Sequence, residues 1–344
     1  MKKASPLLFL LITSVSFVAC KHKPGCNAMM MSEGNWVRLS DLLMKGRTEA
    51  VSFTIGNFAY LGSGLDSSNK YLGDFWKFDP LKNRWEQVAS LPNGAERASA
   101  VGFSVANTAV CGTGFNGSNY LNDFYRFDPV ANTWTKINSS FPGKARSEAV
   151  GFNIGDSGYI GTGYDGKNAL VDFYQYHATD DSWKSIPFDG EARYSSVVFV
   201  YNKKAYLATG TNGNRLVSEF LVFDPSKSSA NWTPLNAITN ASSDAFDDSY
   251  ISIMRKNGAA FVIGDRACIS TGDDAGIPYT STWLYDFATD LWVENTPFEG
   301  PPATGAIGIS VNNRGFIATG KTQQSVSDFI WEFQPDQVEN PNDN

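Results

Sequence analysis

Val110-Cys111-Gly112-Thr113-Gly114, then Phe127-Asp128-Pro129, then the turn Ala131-Asn132-Thr133 and Trp134, is the stretch on which the fold turns, because near-copies of it recur along the chain. The glycine-ended strand returns as Tyr60-Leu61-Gly62-Ser63-Gly64, Tyr159-Ile160-Gly161-Thr162-Gly163 and Tyr206-Leu207-Ala208-Thr209-Gly210. Trp36, Trp85, Trp134, Trp183 and Trp232 each follow the last by 49 residues, and Trp292 follows after 60. A period of this length is a whole supersecondary unit, not a helical or heptad repeat. Each copy opens on an arginine, Arg47 in the first, continues through a β-rich segment such as Ala50-Val51-Ser52-Phe53, and reaches its terminal glycine 17 residues after the arginine. The spacing of the Gly, Pro, Asn and Asp turns predicts four short strands per unit.

Counting back 17 residues from Gly272 reaches Arg255, so the fifth unit is intact and the extra residues of the 60-residue gap fall between Trp232 and Arg255. In the sixth, counting back from Gly320 reaches Ala303, and the strands end at Phe333-Gln334-Pro335 with no tryptophan after them. Trp36-Val37-Arg38-Leu39 supplies the missing strand: it matches Trp85-Glu86-Gln87-Val88 but has no three strands before it. The expected fold is all-β, a six-bladed propeller over residues 36–335 closed by the N-terminal strand, with an acidic tail over 336–344. Closure satisfies the two edges that an open array leaves unpaired.

With its glycine pairs, an aromatic about six residues on and a spaced tryptophan, the chain resembles the kelch family. It departs in having Gly62-Ser63-Gly64 rather than adjacent glycines, and Ala208, Ser270 and Ala318 where the earlier glycine stands. The repeating residues are the ones that build blades, so the resemblance speaks for a fold more than for a function. The copper radical oxidases built on kelch propellers need paired His ligands with Tyr and a cross-linked Cys. The only histidines are His22 and His177, so this chain cannot assemble that centre.

Ahead of the repeats stand Lys2 and Lys3, an apolar run from Leu7 to Val18, and Phe17-Val18-Ala19-Cys20. Residues 1–19 read as a signal peptide whose apolar run is too short to span a bilayer. The cleavage site resembles a bacterial lipobox, with Phe17 in the usual Leu position; the plainer reading is a cleavage site that happens to precede a cysteine. We expect lipidation at Cys20, a tether over 20–35, and a lipid-anchored envelope protein in the outer membrane facing the periplasm. Removing residues 1–19 takes away two lysines and no acids, which moves the net charge from −7 to −9. An acidic surface argues against a nucleic-acid partner. Cys111 and Cys268 fall on nearly opposite blades, too far apart for a disulfide, and read as small buried hydrophobes; Cys26 lies in the tether. We expect a monomer without metal or other cofactor.

Chemistry is expected where the inner strands begin. Arg47, Arg97, Arg146, Arg193 and Arg255, with Asp74, Asp123, Asp172 and Glu219 opening the third strands, are placed at one rim of the central channel. Either the arginines pair within the protein, or they converge on an anionic ligand, for which the guanidinium fork is suited. Two positions on stand Glu49, Ser99, Glu148, Ser195, Asn257 and Gly305, which strand alternation turns the same way as the arginines. That makes Glu49 and Glu148 candidate acid–base groups, or solvated glutamates. The loops Leu65-Asp66-Ser67-Ser68-Asn69, Phe115-Asn116-Gly117-Ser118-Asn119, Tyr164-Asp165-Gly166-Lys167-Asn168 and Thr211-Asn212-Gly213-Asn214-Arg215 offer either sugar-stacking aromatics or plain turn chemistry. The insertion over 236–254, with Asp244, Asp247 and Asp248, is expected on the same face as a lid or a solvated excursion, and its spacing specifies no calcium site.

These residues support a non-catalytic envelope binding module that holds a glycan, peptide or protein partner on one propeller face. The alternative is an enzyme resembling the bacterial sialic-acid mutarotases, whose implied mechanism uses arginines on the sugar carboxylate and an acid–base pair at the anomeric centre.

Overall fold

A computed structural model describes residues 34–39, 41–227, 231–238, 253–340 and 342–343. The signal peptide, Cys20, Cys26, His22 and the aspartates of the insertion lie outside the described residues. No helix among the described residues is long and apolar enough to cross a membrane.

Six four-stranded antiparallel sheets make the six blades of a propeller. Blade 1 is Val51–Ile55, Phe58–Gly62, Phe75–Asp79 and Arg84–Val88, and blade 2 is Val101–Val105, Thr108–Gly112, Phe124–Asp128 and Thr133–Lys136. Blade 3 is Val150–Ile154, Ser157–Gly161, Phe173–His177 and Ser182–Ile186. Blades 4 and 5 begin at Val197–Tyr201 and Ala259–Ile263, and each adds a small hairpin, Thr211–Asn212 with Arg215–Leu216 and Asp273–Asp274 with Ile277–Pro278. Blade 6 takes Ile307–Val311, Arg314–Ala318 and Ile330–Gln334 from the C-terminal end of the chain and Asn35–Arg38 from the N-terminal end. The register there is Trp36 to Phe333 and Arg38 to Trp331, the closure that the unpaired N-terminal strand predicts.

Period two governs the inner strands. Val51 and Phe53 are buried between blades, whereas Ser52 and Thr54 line the central channel with their counterparts Gly102, Ser104, Gly151 and Asn153. First hairpins turn on paired positive-φ residues such as Ala106-Asn107 and Asn312-Asn313, the geometry that matches strand twist.

The two glycines of each strand end answer different constraints. A Cβ on Gly112 would sit 2.0 Å from the Phe124 ring, so the residue is small because the opposite phenylalanine is large. Gly114 has φ +96°, and a Cβ there would lie 2.6 Å from the Ala98 carbonyl. The first constraint is relaxed in blade 5, where Ser270 stands opposite Thr282 and the two hydroxyls lie 3.1 Å apart. This explains the serine at the earlier glycine position in blade 5.

The tryptophans seal the joints between blades. Trp134 of blade 2 packs 4.8 Å from Phe75 of blade 1, Trp183 lies 4.8 Å from Phe124, and Trp232 lies 4.7 Å from Phe173. Trp36 does the same for blade 6, 6.1 Å from Phe261 of blade 5 and 5.0 Å from Phe298. The 49-residue spacing is thus the spacing of inter-blade seams. Beyond Gln334 the chain returns to this strand: the Asn340 amide donates to Asn35 Oδ1 at 2.8 Å, and Asn35 Nδ2 donates to Asp343 at 3.0 Å.

Removing residues 34–39 should leave Ile330–Gln334 as an open edge and empty the Trp36 site. We expect association on size-exclusion chromatography and loss of a single cooperative thermal transition. A monomer with an unchanged melting temperature would show that closure contributes nothing.

Candidate functional site at the channel mouth

The arginines do not face the channel. Arg47, Arg97, Arg146, Arg193 and Arg255 are at most 1% exposed, and none lines the cavity at the mouth. Arg47 donates through Nε to the Lys45 carbonyl at 3.2 Å, through Nη1 to the Ser63 carbonyl at 3.0 Å, and as a fork to Asp74 at 2.9 and 2.8 Å. Arg97 repeats the pattern on Ala95, Thr113 and Asp123, and Arg146 on Lys144, Thr162 and Asp172. Arg193 reaches Glu191 O and Glu219, and Arg255 reaches Ile253 O, Thr271 O and Ser281. Each side chain fastens the entry of its blade to the second and third strands. Its carbonyl meanwhile accepts from the terminal glycine one blade back, Gly64 to Arg97 and Gly114 to Arg146, around to Gly320 and Arg47.

Of the two readings of these arginines, pairing within the protein is the one the structure has, and their expected place at the channel rim is corrected: their donors are consumed inside the blades. Burial raises the Asp74 and Asp123 carboxyls, but the arginine on each outweighs it and holds both below the usual carboxylate range. Arg255, bonded to Ser281, is pulled down to about 10 by burial. Blade 6 solves the same joint without charge. Ala303 stands in the arginine position, fully buried in a cluster with Phe298, Phe329 and Trp331.

A second correction concerns the residues two positions on. Glu49, Ser99, Glu148, Ser195 and Asn257 have φ between 52° and 55°, so they precede the strands in the left-handed region and do not alternate with the arginines. The turn sends the arginine into the blade and the next-but-one side chain to the axis. There the backbone closes a circle. Ser99 N donates to Glu49 O at 3.0 Å, Glu148 N to Ser99 O at 2.9 Å, Ser195 N to Glu148 O, Asn257 N to Ser195 O, Gly305 N to Asn257 O, and Glu49 N to Gly305 O.

This circle lines a cavity of about 120 Å³ that continues into the channel. Within it Ser99 donates to Glu49 Oε2 and Ser195 to Glu148 Oε2. Burial pushes the Glu148 carboxyl up, with Glu49 and Asp273 adding repulsion that Lys256 partly offsets. Asp273 is 4% exposed, accepts from Thr304 Oγ1 at 2.5 Å and Asn257 Nδ2 at 3.3 Å, and lies 3.7 Å from Lys256 Nζ.

Outside this circle the face is lopsided. Tyr71, Phe115, Tyr120, Tyr164 and Tyr194 form an unbroken arc of partly exposed rings over blades 1 to 4, with successive centroids 6.1, 5.0, 6.0 and 5.1 Å apart. Over blades 5 and 6 the corresponding bridges pair Lys256 with Asp273 and Thr304 with Lys321. Burial, then nearby acids, raise the phenols: Glu49 acts on Tyr71 and Glu148 on Tyr194. The loop Asn and Asp residues are occupied by turns, Asp66 Oδ1 accepting from the amides of Ser68 and Lys70, and Asn116 and Asp165 doing likewise. Gly117 and Gly166 press against Tyr71 and Tyr120. Sequence reasoning passed over Tyr71, Tyr120, Tyr194 and Asp273; the aromatic spaced about six residues after the glycine was the signal for the first two.

Cys111 and Cys268 are free and buried, and burial pushes the Cys111 thiol up to about 12, so neither is reactive. Among the described residues no group of three His, Cys, Asp or Glu side chains is placed to hold a metal ion.

Residues 89–253 match the KLHDC2/KLHL20/DRC7 Kelch-repeats domain, and residues 64–92 match the Kelch motif. No curated protein matches the chain. Among solved structures, that of YjhT superposes with a TM-score of 0.69 at 15% identity, covering 85% of this chain and 95% of YjhT.

Replacing Arg146 by Ala should strand a half-buried Asp172 and cost about 3–5 kcal/mol in denaturant unfolding. The double change Arg146→Ala, Asp172→Phe imitates the Ala303–Phe329 joint beside Phe141 and should recover much of that loss. Because Asp74 and Asp123 are depressed, their contribution is complete at neutral pH and is lost as pH falls through their folded-state values, below the ordinary carboxylate range. An Arg146→Ala protein as stable as wild type would refute the structural role.

Proposed function

We propose, from the premise that this chain is a six-bladed kelch-repeat β-propeller, that it is a non-catalytic binding module of the cell envelope whose channel-mouth face holds a glycan. One observation carries this reading: an arc of partly exposed aromatic rings borders a polar cavity on one half of an otherwise repeating face. Sugar rings present apolar C–H faces and hydroxyl edges, which suits stacking on Tyr120 and Tyr164 with hydrogen bonds to Glu49, Glu148 and Asn257. Sites of this kind combine apolar walls with a few placed polar groups.

The alternative, a mutarotase acting on an acidic sugar, draws support from one feature, the raised Glu148 carboxyl bonded to Ser195. Among the described residues its cavity lining holds no anchor for the sugar carboxylate. The five arginines are engaged, and the cavity itself is lined by two glutamates and no cation.

A glycan array should show wild type retaining at least one sugar class, with retention lost in Tyr120→Ala/Tyr164→Ala protein of unchanged melting temperature. Retention of none, or equal retention by the variant, would overturn the reading. Anomer exchange of an acidic sugar followed by NMR should show no acceleration; acceleration by wild type that Glu148→Gln abolishes would replace a binding module with an enzyme.

The envelope placement rests on Cys20 as the lipidated residue. Cys20→Ser should release the protein from washed membranes into the soluble fraction. Retention of the Cys20→Ser protein in washed membranes would remove lipidation as the anchor.

A further inference from the structure

We infer that the channel mouth selects a protonated amine carried on a sugar ring, that is, an amino-sugar glycan with its nitrogen free rather than acylated. The inference rests on the glycan reading above and adds the charge of the ligand to it. Its ground is the combination of a cavity, an aromatic wall and an uncompensated negative charge.

The cavity brings Glu49 and Glu148 to a single circle, and Asp273 adjoins it behind Asn257 and Thr304. Lys256 is the cation that acts on Glu148, and it is shared with Asp273 at 3.7 Å. Among the described residues, three carboxylates therefore meet one ammonium. The arginines that would neutralise the surplus are turned into the blades and bonded there.

Each glutamate also has bonding capacity to spare. A serine hydroxyl donates to Oε2 of each, while among the described residues no donor is bonded to Oε1 of Glu49 or of Glu148. An ammonium has three donors and no acceptor, which is the complement of two such oxygens. The circle's main-chain amides are spent on one another, so the mouth offers an anion little backbone to bind. Tyr120 and Tyr194 lie near enough to Glu148 to feel its charge, so a sugar stacked on either ring would place a substituent amine within its field. The ring faces favour a cation as well.

Backbone preference points the same way. The circle needs a left-handed residue at each of its positions, and Asn257 and Gly305 are the types that adopt it readily. Glutamate at two of them, like serine at two others, adopts it against local preference.

The probe is a chitosan tetramer against its fully N-acetylated counterpart, measured by isothermal titration calorimetry with the mature protein. The free amine should bind at least about tenfold more tightly, as one charge-assisted contact supplies, and Glu148→Gln and Glu49→Gln should each erase most of that ratio. Melting of the Glu148→Gln protein should be unchanged or raised, because a buried charge is removed from a repulsive cluster. Affinity for the amine should fall as pH drops and Glu148 takes up its proton, against the surroundings set by Glu49, Asp273, Lys256, Tyr120 and Tyr194. Equal binding of both tetramers would overturn the selection for an amine and leave the glycan reading standing. Binding of neither would remove both. Binding of oligolysine as tight as that of chitosan, unaffected by Tyr120→Ala, would show that charge alone acts and that the sugar is not recognised.

Discussion

Everything at the channel-mouth face depends on one closed circle of main-chain hydrogen bonds, in which each blade hands an amide to the carbonyl of its neighbour from Glu49 through Gly305 and back to Glu49. Six such bonds can close only if each entering segment turns through the left-handed region immediately before its inner strand. That turn separates the arginine from the residue two positions on. The guanidinium goes into the blade, where carbonyls and an acid await it, and the other side chain goes to the axis. The joint does not require charge: Ala303 and Phe329 do in blade 6 what Arg146 and Asp172 do in blade 3. The main-chain circle is therefore the fixed element, and the side chains that lock it are exchangeable.

The fold was legible because its determinants lie at fixed offsets. The tryptophan spacing marks the inter-blade seams, and the unpartnered Trp36 strand had to complete the last blade. The arginine and its acid were legible as a pair too, at 26 residues in three blades and 27 in the first. What the offset did not reveal was direction. Strand alternation was applied to residues that are not yet strand, and nothing in Glu49, Ser99 or Glu148 announces positive φ as a run of glycines would. Only Gly305 and Asn257 hinted at it, and two of six positions do not establish a conformation. The aromatic arc was hidden for another reason: its members come from separate loops and meet only when blades are set side by side.

A repeat protein shows its function where its repeats disagree. The channel positions deeper in are mostly small or β-branched, with Thr54, Ser104, Asn153 and Ser310 polar and Val200 and Val262 apolar, and none of them is charged. At the mouth the same six positions read Glu, Ser, Glu, Ser, Asn and Gly, and the circle outside them is apolar or aromatic on blades 1 to 3 and charged on blades 5 and 6. The main-chain circle makes the same demand in all six blades, so it does not by itself produce this lopsidedness. A ligand smaller than the ring can, because it touches some blades and not others. Glutamate in the left-handed region costs stability that asparagine or glycine at the same place would not. Two such residues, each braced by the serine of the next blade, set the mouth apart from the rest of the ring.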